Sequence, residues 1–186
     1  MILSQESRQL CQLFADVMDY PGSSLRQAAK SCAIQLENSF PSITKPVQAF
    51  VDFANDQSLE SLEELYTQTF DVTPATSLYL GYHLFGETPK RSEFLIKLTE
   101  AYQAPSFSSG IELADHLGIM LRFLSVAEDS EFTLPLLEEC ILPTLTKTGK
   151  ELEKAKNQYA LVIGPLLQFL RQITHQLAKT GGAANA

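Results

Sequence analysis

Two small groups of polar residues carry most of the chemistry this sequence can offer. His83 and Glu87 are four apart, as are Glu112 and His116, and Asp115 lies between the second pair. On a helix, a spacing of four puts two side chains on one face. Imidazole and carboxylate together can ligate a metal ion, and the two pairs joined would give a mixed coordination sphere. The same spacing serves a plainer role, a histidine ring hydrogen-bonded to a carboxylate or to backbone. A third use is recognition. Tyr66, Phe70, Tyr79 and Leu113 can supply apolar walls, while Asp71, Glu87, Glu112 and Asp115 supply acceptors at the rim. Such a site takes an amphipathic peptide bearing Lys or Arg, through apolar anchors and charge-assisted hydrogen bonds. Arg91 lies nearby, and its guanidinium can instead tie the acidic cluster internally.

These residues must be positioned by the segment from Leu65 to Arg91. A helical pattern ends near Phe70, because Pro74 disfavours the helical region for Thr73. Ser77 can cap a short aromatic-rich helix that ends at Gly86, and Pro89 suits the first turn of the next helix. Leu78, Leu80, Tyr82, Leu84 and Phe85 read mostly as core. Downstream, Leu113, Leu117, Met120, Leu121 and Leu124 are spaced by four, three, one and three, which predicts a strongly buried helix over residues 112–127.

The remaining chain repeats this periodicity. Leu10, Leu13, Phe14, Val17 and Met18 form a first apolar stripe, with Ser4 as its cap and Tyr20-Pro21-Gly22 as its end. Further helices are predicted to Glu37, around Val47–Ala54, over Leu59–Phe70 and over Phe94–Tyr102. Loops are predicted at Pro41–Pro46, Pro105–Gly110 and Asp129–Thr133. Pro143 is expected to kink or restart the helix that follows. Leu152 to Leu177 reads as one long final helix, bent at Gly164-Pro165. There is no sustained alternation of period two. The pattern therefore predicts an all-α, single-domain helical bundle of about nine helices over residues 1–179, with a disordered tail over 180–186.

At 186 residues the chain can bury a sizeable core. Its formal charge of −8 is uneven, since residues 1–146 carry −12 and residues 147–186 carry +4. An acidic body argues against nucleic acid, whose phosphates need a basic footprint, and suits a basic partner. Cys11, Cys32 and Cys140 are isolated, with no C-x-x-C, so reduced thiols in a cytoplasmic protein are expected. The first residues lack the basic-then-apolar pattern of a signal peptide. The longest apolar run, Tyr159 to Leu167, is too short to span a bilayer, so no membrane insertion is expected. Nucleotide-binding glycine loops and a G-x-S-x-G elbow are absent from the sequence, and it offers no cofactor motif.

One further pattern bears on function. Phe70-Asp71 is followed by Ser77-Leu78-Tyr79-Leu80-x-x-His83-x-x-Gly86-Glu87 and a basic Arg91. Tyr20-Pro21 ends the first helix, and Glu112-Leu113-x-Asp115-x-Leu117 comes later. Together these resemble the nitrate reductase delta-subunit family, the NarJ-like assembly chaperones for molybdenum oxidoreductases, related to the TorD-type chaperones. The likeness runs over roughly residues 10–125. Two stretches depart from the family pattern: Pro89-Lys90-Arg91-Ser92 replaces its Arg-x-Arg-Gly, and Ala114 and His116 replace its Pro and Tyr. The resemblance implies a chaperone without catalytic turnover. Its client would be the catalytic subunit of a molybdopterin oxidoreductase, whose N-terminal segment it holds until the cofactor is inserted. It places the peptide site on Tyr66, Phe70, Asp71, Tyr79, His83, Glu87, Arg91, Glu112, Leu113, Asp115 and His116. The competing expectation is a small all-α metal-dependent enzyme using His83, Glu87, Glu112 and His116.

Overall fold

Polar side-chain caps start four of the helices, and the breaks between helices shape the molecule. In a computed structural model, which describes residues 3–105 and 107–182, Ser4 Oγ accepts the Ser7 N–H at 3.2 Å and opens α1 (Gln5–Val17). Helices α2 (Leu25–Ser39) and α3 (Thr44–Asp56) follow, joined by a 3₁₀ turn at Pro41–Ile43. Ser58 caps α4 (Leu59–Tyr66) in the same way, through the Ser61 N–H at 3.1 Å. The others are α5 (Leu80–Phe85), α6 (Pro89–Gln103), α7 (Leu117–Val126), α8 (Ser130–Pro135), α9 (Leu142–Lys154) and α10 (Ala160–Gly182). Because α8 runs into α9 without a break, the described residues hold nine continuous helices and no strand, as the periodicity predicts.

Two helices are locally widened. The chain continues past α4 as a π turn over Thr67–Asp71, in which the Val72 N–H reaches back five residues to Thr67 O at 3.0 Å. Tertiary bonds hold this turn. Thr76 Oγ donates to the Thr69 carbonyl, and Asn157 Nδ2 donates to Thr69 Oγ at 2.7 Å. A second π segment, Leu136–Ile141, joins α8 to α9. Pro143 has no N–H to continue the ladder, and the helix passes it with the Leu142 N–H on Leu137 O.

The core is built around α7, where Leu117, Met120, Leu121 and Leu124 are fully buried. Helix α1 packs on both α7 and α2, α2 packs on α3, and α10 packs on α3 and α9. Phe14, Phe40 and Phe169 stack where α1, α2 and α10 meet.

The structure corrects several boundaries. The buried helix begins at Leu117 and not at residue 112, because Glu112–Asp115 turns back to pair with the extended segment before α5. The short aromatic helix begins at Leu80, and Ser77 caps only a turn, accepting the Tyr79 N–H at 3.3 Å. Asp129 does not lie in a long loop. It caps α8 by accepting the Glu131 N–H at 2.8 Å. Leu152 belongs to α9, and α10 starts only after a turn where Lys156 has φ 53° and Asn157 Oδ1 accepts the Tyr159 N–H at 2.9 Å. Pro165 sits inside α10, which continues through it. Of the predicted tail, Thr180–Gly182 is helical and 183–186 lie outside the described residues, as does Ser106 of the predicted Pro105–Gly110 loop.

Candidate functional site

A cleft of about 280 Å³ opens where the end of α1, the π turn after α4, the segment before α5 and the start of α7 converge. Six of the residues predicted from sequence line it: Tyr66, Phe70, Asp71, Tyr79, Glu112 and His116. Asp19, Tyr20, Leu78, Ile119 and Arg122 complete the wall.

Backbone geometry brings these distant pieces together. The Leu80 N–H donates to Asp115 O at 2.9 Å, and the Leu117 N–H donates to Leu78 O at 2.8 Å. This pair of bonds makes a single antiparallel bridge between Tyr79 and His116, whose rings meet edge to face at 5.3 Å. Tyr79 Oη then donates to Glu112 Oε1 at 2.9 Å. The same carboxylate oxygen accepts the Leu113 N–H at 2.9 Å, which fixes its direction. Burial and the Glu112 carboxylate push the Tyr79 phenol up to about 12, so it stays a proton donor.

His116 caps α7 through Nδ1, which accepts the Gly118 N–H at 3.2 Å. That bond leaves the ring proton on Nε2. Burial pulls the imidazole below its usual value, so the neutral ring is favoured. On the opposite wall, Tyr66 Oη donates to Met18 O at 3.1 Å, and burial pushes this phenol up as well. The ring of Tyr66 stacks edge to face on Phe70 at 5.0 Å and on Tyr20 at 5.4 Å. Tyr20 is 56% exposed and stands at the mouth of the cleft.

The charges around the cleft differ in how firmly they are engaged. Arg122 forks across to α1, reaching Asp16 at 2.9 Å and Asp19 at 3.1 and 2.5 Å. Asp71 ends the π turn and is exposed, and no hydrogen bond or ion pair engages its carboxylate among the described residues. The cleft therefore presents aromatic faces, a neutral imidazole and carboxylate acceptors, with its one guanidinium already engaged. That arrangement suits binding of a cationic, partly apolar group.

The other five predicted residues lie elsewhere. Asp115 is not at a rim. It is fully buried, held by Arg91 Nε on Oδ2 at 2.9 Å, while Oδ1 has no hydrogen-bond partner. Arg91 also lies over the Tyr79 ring, 5.8 Å from its centroid, so it braces the cleft from behind. His83 points back into its own turn, its Nε2 donating to Ser77 O at 2.7 Å. Glu87 is exposed beyond Gly86, which ends α5 with φ 59°, so His83 and Glu87 do not share a helical face. Leu113 is exposed but outside the cleft wall. Glu112 and His116 are likewise not on one helix, and no group of three or more potential metal ligands forms among the described residues.

Arg122 and its partners were not singled out by sequence. One signal was available: Asp16 and Asp19 sit at the C-terminal end of α1, where the helix dipole disfavours negative charge and a cation is needed.

Known proteins resemble this chain over most of its length. Residues 37–160 match the family model described as nitrate reductase delta subunit. The nitrate reductase molybdenum cofactor assembly chaperone NarJ of Escherichia coli K12 is 30% identical over 105 residues, covering 56% of this chain and 44% of NarJ. A second protein of that strain, NarW, described as a chaperone of the same kind, is 24% identical over 162 residues, covering 87% of this chain and 68% of its own length. The chain thus spans somewhat less than half of NarJ in that match. A crystal structure of an Archaeoglobus fulgidus protein described as a redox enzyme maturation protein superposes with a TM-score of 0.60. It covers 92% of this chain and 97% of its own at 18% identity, and so shares the fold. With two thirds of its length under the family model, the chain belongs to the nitrate reductase delta subunit family.

Proposed function

We propose that this protein is an assembly chaperone for a molybdopterin oxidoreductase and that its cleft holds the N-terminal segment of that enzyme's catalytic subunit. The observation that carries this reading is the Tyr79–His116 bridge, which builds an aromatic and acidic cleft around an unengaged Asp71. A basic side chain in the segment would lie against the Tyr20 and Tyr66 rings and donate hydrogen bonds to the Asp71 carboxylate. Apolar neighbours would rest on Phe70 and Ile119. The role of the protein is then to occupy the segment until cofactor insertion is complete. This is a holding function with no bond made or broken, in the cytoplasm where the cofactor is loaded. The acidic balance of residues 1–146 supports a basic client.

Affinity capture from the native cell, read by mass spectrometry, tests the reading. The catalytic subunit of a molybdopterin oxidoreductase should be enriched, and deletion of its N-terminal segment should abolish capture. Capture that persists without that segment would contradict the proposed site.

A further inference from the structure

A second concavity lies on another face of the bundle. Helix α6 turns Phe94, Lys97, Ala101 and Ala104 to one side, at helical spacings of three and four. Opposite stand Phe132, Leu136 and Glu139 of α8 and its π segment, again three and four apart. Between these banks runs a slot with cavity volumes of about 520 Å³ and about 180 Å³, both lined by Phe132. Its floor is apolar, closed by Phe85, Phe123 and Cys140, whose thiol is pushed up to about 12 by burial and so acts as plain apolar surface. From Phe94 to Ala104 the face extends about 15 Å, nearly three helical turns.

The charges along the slot are one-sided. Glu128, Asp129, Glu131 and Glu139 are exposed along the α8 bank, against Lys97 alone on the α6 bank. No ion pair holds any of them among the described residues. Ile96 is 59% exposed beside Lys97 on α6. The π segment at this slot is the counterpart of the π turn at the cleft, and π distortions inside α-helices recur at functional sites.

We propose that this slot is a second docking surface, separate from the cleft, for an amphipathic partner helix of about three turns with an apolar face and Lys or Arg along the edge that meets α8. Two facing banks, each at helical spacing, fit a third helix better than an extended strand, which would need an open sheet edge. The acidic bank fixes the sign of the partner's charged edge.

The probes are two synthetic amphipathic helices, one patterned with Leu and Lys and one with Leu and Glu, titrated by fluorescence anisotropy into the full chain. The Leu/Lys helix should bind and the Leu/Glu helix should not. Glu131→Lys with Glu139→Lys should weaken the Leu/Lys helix by about tenfold or more, and Lys97→Glu should tighten it, because reversing charge on opposite banks acts in opposite directions. All three positions are exposed, so each variant should keep the wild-type circular dichroism spectrum. The double reversal should weaken the Leu/Lys helix equally in the Asp71→Asn background, which separates any share bound in the cleft from the share bound in the slot. Equal binding of both helices, or no binding of either, would overturn the proposal. Loss on Asp71→Asn with none on the double reversal would place the peptide in the cleft and also overturn it.

Discussion

Arg91 and Asp115 form an ion pair at 2.9 Å that joins the first turn of α6 to the loop before α7, and the Asp115 carboxylate has no exposure to solvent. The pair fixes the loop whose backbone carries the Tyr79–His116 bridge. Arg91→Ala strands a buried carboxylate, and this should cost about 3–5 kcal/mol of stability. Chemical denaturation measures it. Arg91→Lys should rescue only in part, since an ammonium cannot reproduce both the bond to Asp115 and the stacking over Tyr79. A loss under about 0.5 kcal/mol, the scale of surface changes, would show that the pair is not structural.

Gly81 allows this packing. A Cβ there would lie 2.6 Å from Asp115 Oδ2 and 3.1 Å from Phe94 Cδ1. Gly81→Ala should therefore destabilise by about 1–3 kcal/mol through overpacking. The helix propensity of alanine pulls the other way, by about 1 kcal/mol, so a stabilised variant would refute the clash.

Leu121 is fully buried on the stripe of α7. Leu121→Ala should cost about 2–5 kcal/mol in the same denaturation experiment. A neutral effect would contradict the placement of α7 at the centre.

His116 gives a pH dependence of defined sign. Its folded pKa lies below the usual 6.5, with burial the main cause. The unfolded chain therefore takes up the proton first. Stability from this group is complete above about pH 6.5 and falls as pH drops from there toward the folded pKa. Besides His116, the groups bearing on this ring are Glu112, Asp19, Asp115 and Arg122. His116→Asn keeps a capping acceptor and removes the titration. Melting curves at about pH 7.5 and about pH 5.5 should show a smaller drop for the variant than for wild type. An equal drop in both would assign the acid sensitivity to other groups.

The all-α fold was legible because apolar periodicity is a local property. Leu117, Leu121 and Leu124 mark α7 by spacing alone. The start of α7 was not legible: Glu112-Leu113-Ala114-Asp115 has ordinary helical composition, and only the distant pairing with Leu78 and Leu80 unwinds it. The turn between α9 and α10 contains no glycine or proline, because Lys156 takes the positive φ there. In the cleft, Tyr66, Phe70, Asp71, Tyr79, Glu112 and His116 were readable as chemistry near helix breaks. Arg122 with Asp16 and Asp19 was hidden, since more than a hundred residues separate the partners and no local pattern links them.

On the proposed function, the cleft reads a basic, partly apolar segment through Asp71. Asp71→Asn keeps size and removes charge, and no hydrogen bond ties that carboxylate to the scaffold among the described residues. Calorimetric titration of the proposed client's N-terminal peptide into wild type and Asp71→Asn, at two salt concentrations, is the most direct test. Unchanged melting is expected, with binding weaker by about 1–3 kcal/mol in the variant and a wild-type affinity that falls with salt. Equal affinities with a lowered melting temperature would assign Asp71 to the scaffold and contradict the claim.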